Sequence, residues 1–222
     1  SLLPQSGPST GGTRVAVIGA GFGDGARATA LCRFGGAVVV AATVVNDTLV
    51  ECDAPAVDAD TVLSVSLWPV ATSIEVTLNG VHFGASGATF KYYAPPSVVA
   101  VSPKMGPMSG GTVLSVTGTA FGALDSAQLT CAFRTVSATA SITPAATAVA
   151  TRVSPSLLRC VVPSATSIGV ADGEAVTVDV SLNGVDFSTN SLQFTFAADA
   201  SLMAASPVSG PISGGTSVLV TG

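Results

Sequence analysis

The phrase "GPSTGGTRVAVIG" at Gly7–Gly19 returns as "GPMSGGTVLSVTG" at Gly106–Gly118 and as "GPISGGTSVLVTG" at Gly210–Gly222. It recurs after 106 − 7 = 99 and then 210 − 106 = 104 residues, the length of one small β-sandwich per repeat. Each copy also has a local meaning. A proline stands three residues ahead of it (Pro4, Pro103, Pro207), where it ends a first strand and keeps the chain extended. The Gly-Gly pair admits positive φ and turns the chain sharply, and the threonine after it starts a second strand.

The repetition continues beyond this phrase, in constant order. "AGFG" (Ala20–Gly23) matches "TAFG" (Thr119–Gly122), and "LCRF" (Leu31–Phe34) matches "TCAF" (Thr130–Phe133). "LVECDAP" (Leu49–Pro55) matches "LLRCVVP" (Leu157–Pro163), and "LNGVHF" (Leu78–Phe83) matches "LNGVDF" (Leu182–Phe187). "TFKYY" (Thr89–Tyr93) is aligned with "LQFTF" (Leu192–Phe196). Between the Gly, Pro and Asn-Gly punctuation lie short alternating runs, such as Thr13–Gly19, Ser73–Leu78, Leu114–Gly118 and Ala175–Leu182. Period-two alternation of Val and Thr is the mark of half-buried strands, and no stretch holds a helical period over a dozen residues. The fold expected is all-β: tandem immunoglobulin-like sandwiches at 1–95 and 96–198, with 199–222 supplying the first strands of a third. The short linkers fall near Ala94–Ser97 and Ala197–Ser201.

Composition narrows the function classes. Only 9% of the 222 residues are charged, 8 basic against 13 acidic, for a net charge of −5. So few cations argue against nucleic acid and against an acidic membrane surface, both of which need clustered Lys and Arg. Mean hydropathy is high, +0.63. Even so, aliphatic runs such as Gly35–Val45 fall far short of the roughly 20 residues of a spanning helix, so no membrane span is expected in this segment. No basic segment followed by an apolar stretch opens the sequence, so the expectation is that any secretion signal was removed or lies upstream. "GAGFGDG" (Gly19–Gly25) is read as structural, because Asp24 stands where a dinucleotide loop needs its last glycine and no βαβ pattern surrounds it.

The ordered set of a Pro, a Gly, Gly-Gly-Thr with alternating Val, Gly-x-x-Phe, a Cys, a Cys-x-x-Pro, an Asn-Gly turn and a final aromatic strand resembles the IPT/TIG domain. That immunoglobulin-like fold is shared by plexins, Met-type receptors and some transcription factors. Both full repeats carry nearly all of the set, so the resemblance covers almost the whole chain. It implies the fold, and it leaves function open, because the family is a scaffold with many uses.

Four cysteines admit three pairings. Equivalence of the repeats selects Cys32–Cys52 and Cys131–Cys160, closing loops of about 20 and 29 residues and implying an oxidising, extracellular setting. No cofactor is expected and no metal. Zinc lacks suitable spacing and a second histidine. The acidic group Asp47, Glu51, Asp53, Asp58 and Asp60 is mostly lost from the second repeat and matches no EF-hand loop. No catalytic constellation is expected. His82, the sole histidine, sits beside the "LNG" turn where the second repeat has Asp186, and is read as a tolerant exposed turn position. Trp68 is a candidate sugar platform or a packed loop residue, and alternation is expected to bury one of Tyr92 and Tyr93. Asn46 heads an N-glycan sequon, Asn46–Thr48. Pro95, Pro96, Pro103, Pro155 and Pro207 are candidate O-glycan or hydroxyproline positions.

Few charges and many aliphatics leave apolar surface that a 100-residue sandwich cannot hide, so sugars, neighbouring domains or other subunits must cover it. The leading expectation is a non-enzymatic extracellular stalk or fibril subunit, glycosylated, whose partners are neighbouring repeats or other copies end to end. The alternatives are the ectodomain of a receptor or adhesin and the accessory region of a secreted glycan-processing enzyme. For the third copy of the phrase, a longer chain of non-identical repeats is expected.

Overall fold

A computed structural model describes residues 1–23, 29–57, 69–124, 128–136, 144–190 and 192–222. The first repeat runs through β1 (Leu2–Leu3), β2 (Ser6–Pro8), β3 (Arg14–Ile18), β4 (Leu31–Phe34), β5 (Val38–Asn46), β6 (Leu49–Asp53), β7 (Val70–Thr77) and β8 (Gly84–Tyr93). The second runs through β9 (Ser97–Ser102), β10 (Met105–Pro107), β11 (Val113–Thr119), β12 (Thr130–Thr135), β13 (Ala146–Ser154), β14 (Leu157–Val161), β15 (Ala175–Ser181) and β16 (Leu192–Ala197). The third copy of the phrase forms β17 (Ala204–Ser206) and β18 (Leu219–Thr221), which pair antiparallel.

Each repeat closes a sandwich by sharing one strand between two layers. The end of β5, from Ala42, pairs with β6, while its start pairs with β4. Strand β13 divides itself in the same way between β14 and β12. The layers are therefore β1-β3-β6-β5 and β5-β4-β7-β8-β2 in the first repeat, and the second repeats this order. The chain changes layers at the prolines. Strand β1 ends before Pro4 in one layer, and β2 resumes in the other, parallel to β8. Strands β9 and β10 do the same around Pro103, with β10 parallel to β16.

Alternation along the strands fills the interior. Val15 and Val17 of β3, Val50 of β6 and Ile74 of β7 meet Phe34, Phe90 and Tyr92 in the first core, where Phe90 stands edge-on to both rings. The second core gathers Leu114, Val116, Phe133, Leu158, Val176, Val178, Phe194 and Phe196. The structure joins Cys32 of β4 to Cys52 of β6 and Cys131 of β12 to Cys160 of β14, so each bridge ties one layer to the other. Pairing of β2 with β8 and of β10 with β16 places Gly7 opposite Tyr92 and Gly106 opposite Phe196. The final strands therefore match one residue later than the sequence alignment set them. Phe90 corresponds to Phe194 and Tyr92 to Phe196, because only that register puts both aromatics inward.

Among the described residues, one element departs from the all-strand expectation. A single helical turn, α1 (Ala165–Ile168), follows β14, capped by the Ser164 side chain and ended by Gly169 at φ 82°. Four residues are too few to leave a period in the sequence.

The two glycines of the repeated phrase differ in what surrounds them. A Cβ on Gly110, at φ +78°, would lie 2.7 Å from the backbone of Pro163 and Ser164, whereas Gly111, at φ +79°, faces open space. Gly111→Ala is expected to cost about 1 kcal/mol, the strain of a left-handed backbone alone. Gly110→Ala adds a backbone clash and is expected to cost about 3 kcal/mol or more. Urea unfolding of the full chain measures both, and equal losses would mean that the turn does not pack on the Pro163 segment.

Candidate functional site at the joint between the repeats

The Asn-Gly turn after β15 is built to hold its own shape. Gly184 sits at φ +80°, a backbone that favours glycine, and its amide donates to the Ser181 hydroxyl at 2.9 Å. Asn183 Oδ1 accepts from the amides of Val185 and Asp186 at 3.0 and 2.9 Å and from the Ser181 hydroxyl at 3.1 Å. With Oδ1 so occupied, the amide nitrogen must face outward. It donates to Asp186 Oδ2 at 2.7 Å and, across the repeat boundary, to the Ser6 carbonyl at 2.8 Å. The Thr13 hydroxyl of the first repeat donates to the same Asp186 oxygen at 2.8 Å. A turn of the second sandwich thus grips the Pro-x-x-Gly strand and the Gly-Gly-Thr loop of the first. Thr13 is 0% exposed and Asn183 3%, so the Asn183–Ser6 bond is shielded from water, while the bonds to the half-buried Asp186 are partly so.

Tyr93 completes the joint. Tyr92 and Tyr93 are neighbours on β8 and point to opposite faces. Tyr92 enters the first core and donates to the Pro55 carbonyl at 2.9 Å, while Tyr93 packs fully buried in the cluster of the second. The expectation that only one of them is buried fails because this strand has a core on each side. The Tyr93 hydroxyl is buried without a hydrogen-bond partner. Burial raises the ionisation of both phenols well above the ordinary value, and for Tyr93 the Asp186 carboxylate adds to the rise.

Both turns are braced from beneath. Arg33 lies over the Phe83 ring, 4.1 Å from its centroid, and pairs with Glu75 at 2.6 Å. Arg134 lies 5.3 Å over Phe187 and pairs with Asp179 at 3.4 Å. The two arginines come from different places in the repeat, so sequence alignment does not connect them.

The other candidate residues fall elsewhere. Asn46 is exposed where β5 turns into β6, its Oδ1 accepting from the amide and hydroxyl of Thr48 at 2.8 and 2.9 Å. Glu51 and Asp53 pair with Arg14 at 3.1 and 3.4 Å, and Asp47 accepts from the Gly23 amide at 3.0 Å. These three carboxylates are thus engaged by the protein itself, and Asp58, Asp60 and Trp68 lie outside the described residues. Pro95, Pro103, Pro155 and Pro207 are exposed, but Pro96 is buried, which withdraws it as a modification site. The position occupied by His82 and Asp186 needs the largest revision. Read as a tolerant turn, it is a joint residue in the second repeat. The one available signal was the repetition of "LNGV" with a change only at the next residue.

The IPT/TIG domain family model matches residues 1–92 and 96–196. The chain belongs to the IPT/TIG family. Plexin-A3 of Rattus norvegicus and plexin-A3 of Mus musculus are each 25% identical to it over 122 residues, which is 53% of this chain and 6% of the relative. In the solved plexin A4 full extracellular region, the similarity extends over 95% of this chain and 18% of that one, with a TM-score of 0.52 and 15% identity. The chain therefore spans a small fraction of the relatives it matches, and the structural likeness is one of fold. Among the described residues of these IPT/TIG repeats, no helix is long and apolar enough to cross a membrane.

Because both phenols are favoured in their neutral form, they stabilise the fold below the ordinary tyrosine value near 10, and this contribution is lost as pH rises towards their raised values. The chain holds two tyrosines. Alkaline absorbance titration is expected to show no phenolate near pH 10 in the folded protein, then a steep rise that coincides with unfolding by circular dichroism. A tyrosine titrating near 10 in the native state would contradict the two-sided burial of β8.

Proposed function

We propose that this chain is part of the extracellular portion of a cell-surface receptor or adhesin, where IPT/TIG repeats stack end to end as a spacer of fixed geometry. The repeats are assigned to 1–95 and 96–198, with a third opening at 199. The observation that carries this reading is the joint: a buried tyrosine, a buried hydrogen bond from Asn183 to Ser6 and a part-buried one from Thr13 to Asp186 hold one sandwich against the next. A flexible string would need none of these. Disulfides across each sandwich suit an oxidising compartment.

The receptor reading is preferred to a fibril subunit. The curated relatives carry the plexin name, and the joint is satisfied within one chain, without a second copy. The reading assigns the segment no reaction. Exposed Val38, Val39 and Val45 lie on the strand that Asn46 ends, and a glycan at Asn46 covers part of that apolar surface.

Two measurements test this function. Protein secreted from eukaryotic cells is expected to lose one glycan mass to amidase treatment, and Thr48→Ala to carry none. Sedimentation is expected to give a monomer for the glycosylated chain. Filaments growing with concentration would overturn the receptor reading in favour of the fibril.

The spacer role has its own test. Asn183→Ala removes the Ser6 contact and the acceptor of two turn amides, at an expected cost of about 2 kcal/mol. Asp186→Ala removes the Thr13 contact. Both are expected to leave each sandwich folded while small-angle scattering shows a wider range of angles between them. Unchanged scattering profiles would mean that the turn does not set the joint.

A further inference from the structure

The first repeat carries the same turn, and no described residue of another repeat lies upon it. Asn79 Oδ1 accepts from the amides of Val81 and His82 at 3.0 and 2.9 Å and from the Thr77 hydroxyl at 3.0 Å, and Gly80 sits at φ +74°. This is the bonding of Asn183 Oδ1 residue for residue, and Arg33 stacks beneath it on Phe83. Yet Asn79 and His82 are exposed, whereas of their counterparts Asn183 is 3% exposed and Asp186 is half-buried. The complementary half is also open at the far end. Met105, at the place of Ser6, is 58% exposed, and Thr112, at the place of Thr13, is half-buried where Thr13 is fully so. Among the described residues, the two full repeats thus hold one closed joint, one uncovered turn and one uncovered strand-and-loop face.

We propose that the turn Asn79–Phe83 is a docking surface for a preceding IPT/TIG repeat of the same chain, which seats its Pro-x-x-Gly strand and Gly-Gly-Thr loop there as residues 4–13 seat on Asn183 and Asp186. Continuity with the observed joint identifies the occupant. Turn and brace are already those of a joint. The substitution of His82 for Asp186 sets a specificity. Asn79 Nδ2 lies 3.2 Å from His82 Nδ1, and with Asn79 Oδ1 engaged by backbone amides this nitrogen can only donate. Nδ1 therefore accepts, and the ring carries its hydrogen on Nε2. Asp186 asks its partner for a donor, whereas His82 asks for an acceptor. A threonine hydroxyl meets either demand. The inference holds whatever extracellular protein the stack belongs to, so its failure is separable from that of the receptor reading.

The test joins a copy of residues 1–99 directly to Ser1 of the full chain, which gives Pro4 the place after Tyr93 that Pro103 has in the native chain. With segmental isotope labelling, amide exchange at Val81 and His82 is compared between the upstream copy, whose turn stays open, and the downstream one. The downstream amides are expected to exchange about five- to tenfold more slowly, the worth of roughly one net hydrogen bond. The difference is expected to vanish with Thr13→Val in the upstream copy or His82→Ala in the downstream copy, both of which leave the Asn79 acceptor of the probe amides in place, and to survive downstream His82→Asp. Equal exchange in both copies, with the upstream copy tumbling independently, overturns the proposal. Slowing that persists through the substitutions overturns it too. So does concentration-dependent protection of 79–83 in the unfused chain, which would assign the surface to a second copy.

Discussion

Adjacent side chains on a strand point to opposite faces, and β8 uses this at its end to serve two cores at once. Phe90 and Tyr92 fill the sandwich that the strand belongs to, while Tyr93 is committed to the next. The boundary between the repeats is consequently a shared interior. From this follows the burial of Ser6 and Thr13, whose polar groups then need partners away from water. The Asn183 turn supplies them.

The turn succeeds because its shape is fixed before any contact is made. A glycine in the left-handed region and an asparagine oxygen engaged by two amides leave one amide nitrogen aimed outward. Little side-chain freedom remains to be lost when two sandwiches meet. The arginine stacked on the phenylalanine beneath, in both repeats, fixes the turn to its sheet. That the arginine comes from different strand positions shows the brace is kept while its sequence address is not.

Within each repeat the disulfide and the divided strand serve one end. Strands β5 and β13 carry the backbone ladder from one layer to the other, and the cysteine pair ties the layers across the interior. A sandwich so closed can present its outward valines, such as Val149 at 79% exposure, without relying on them for stability. That arrangement suits a chain in which 9% of residues are charged.

The sequence by itself determined the strand content, the repeat length, the family and the equivalence of the cysteines. These rest on period-two alternation and on glycine and proline chemistry, which act over a few residues and repeat visibly. The register of β8 against β16 was off by one residue, because alignment by letters ignores which face an aromatic must occupy. The role of Asp186 and the burial of Tyr93 were decided only by the tertiary structure. The first depends on atoms 173 residues apart and the second on the core of the next repeat, and nothing local to "LNGVDF" or "KYY" distinguishes a residue facing solvent from one facing the neighbouring sandwich.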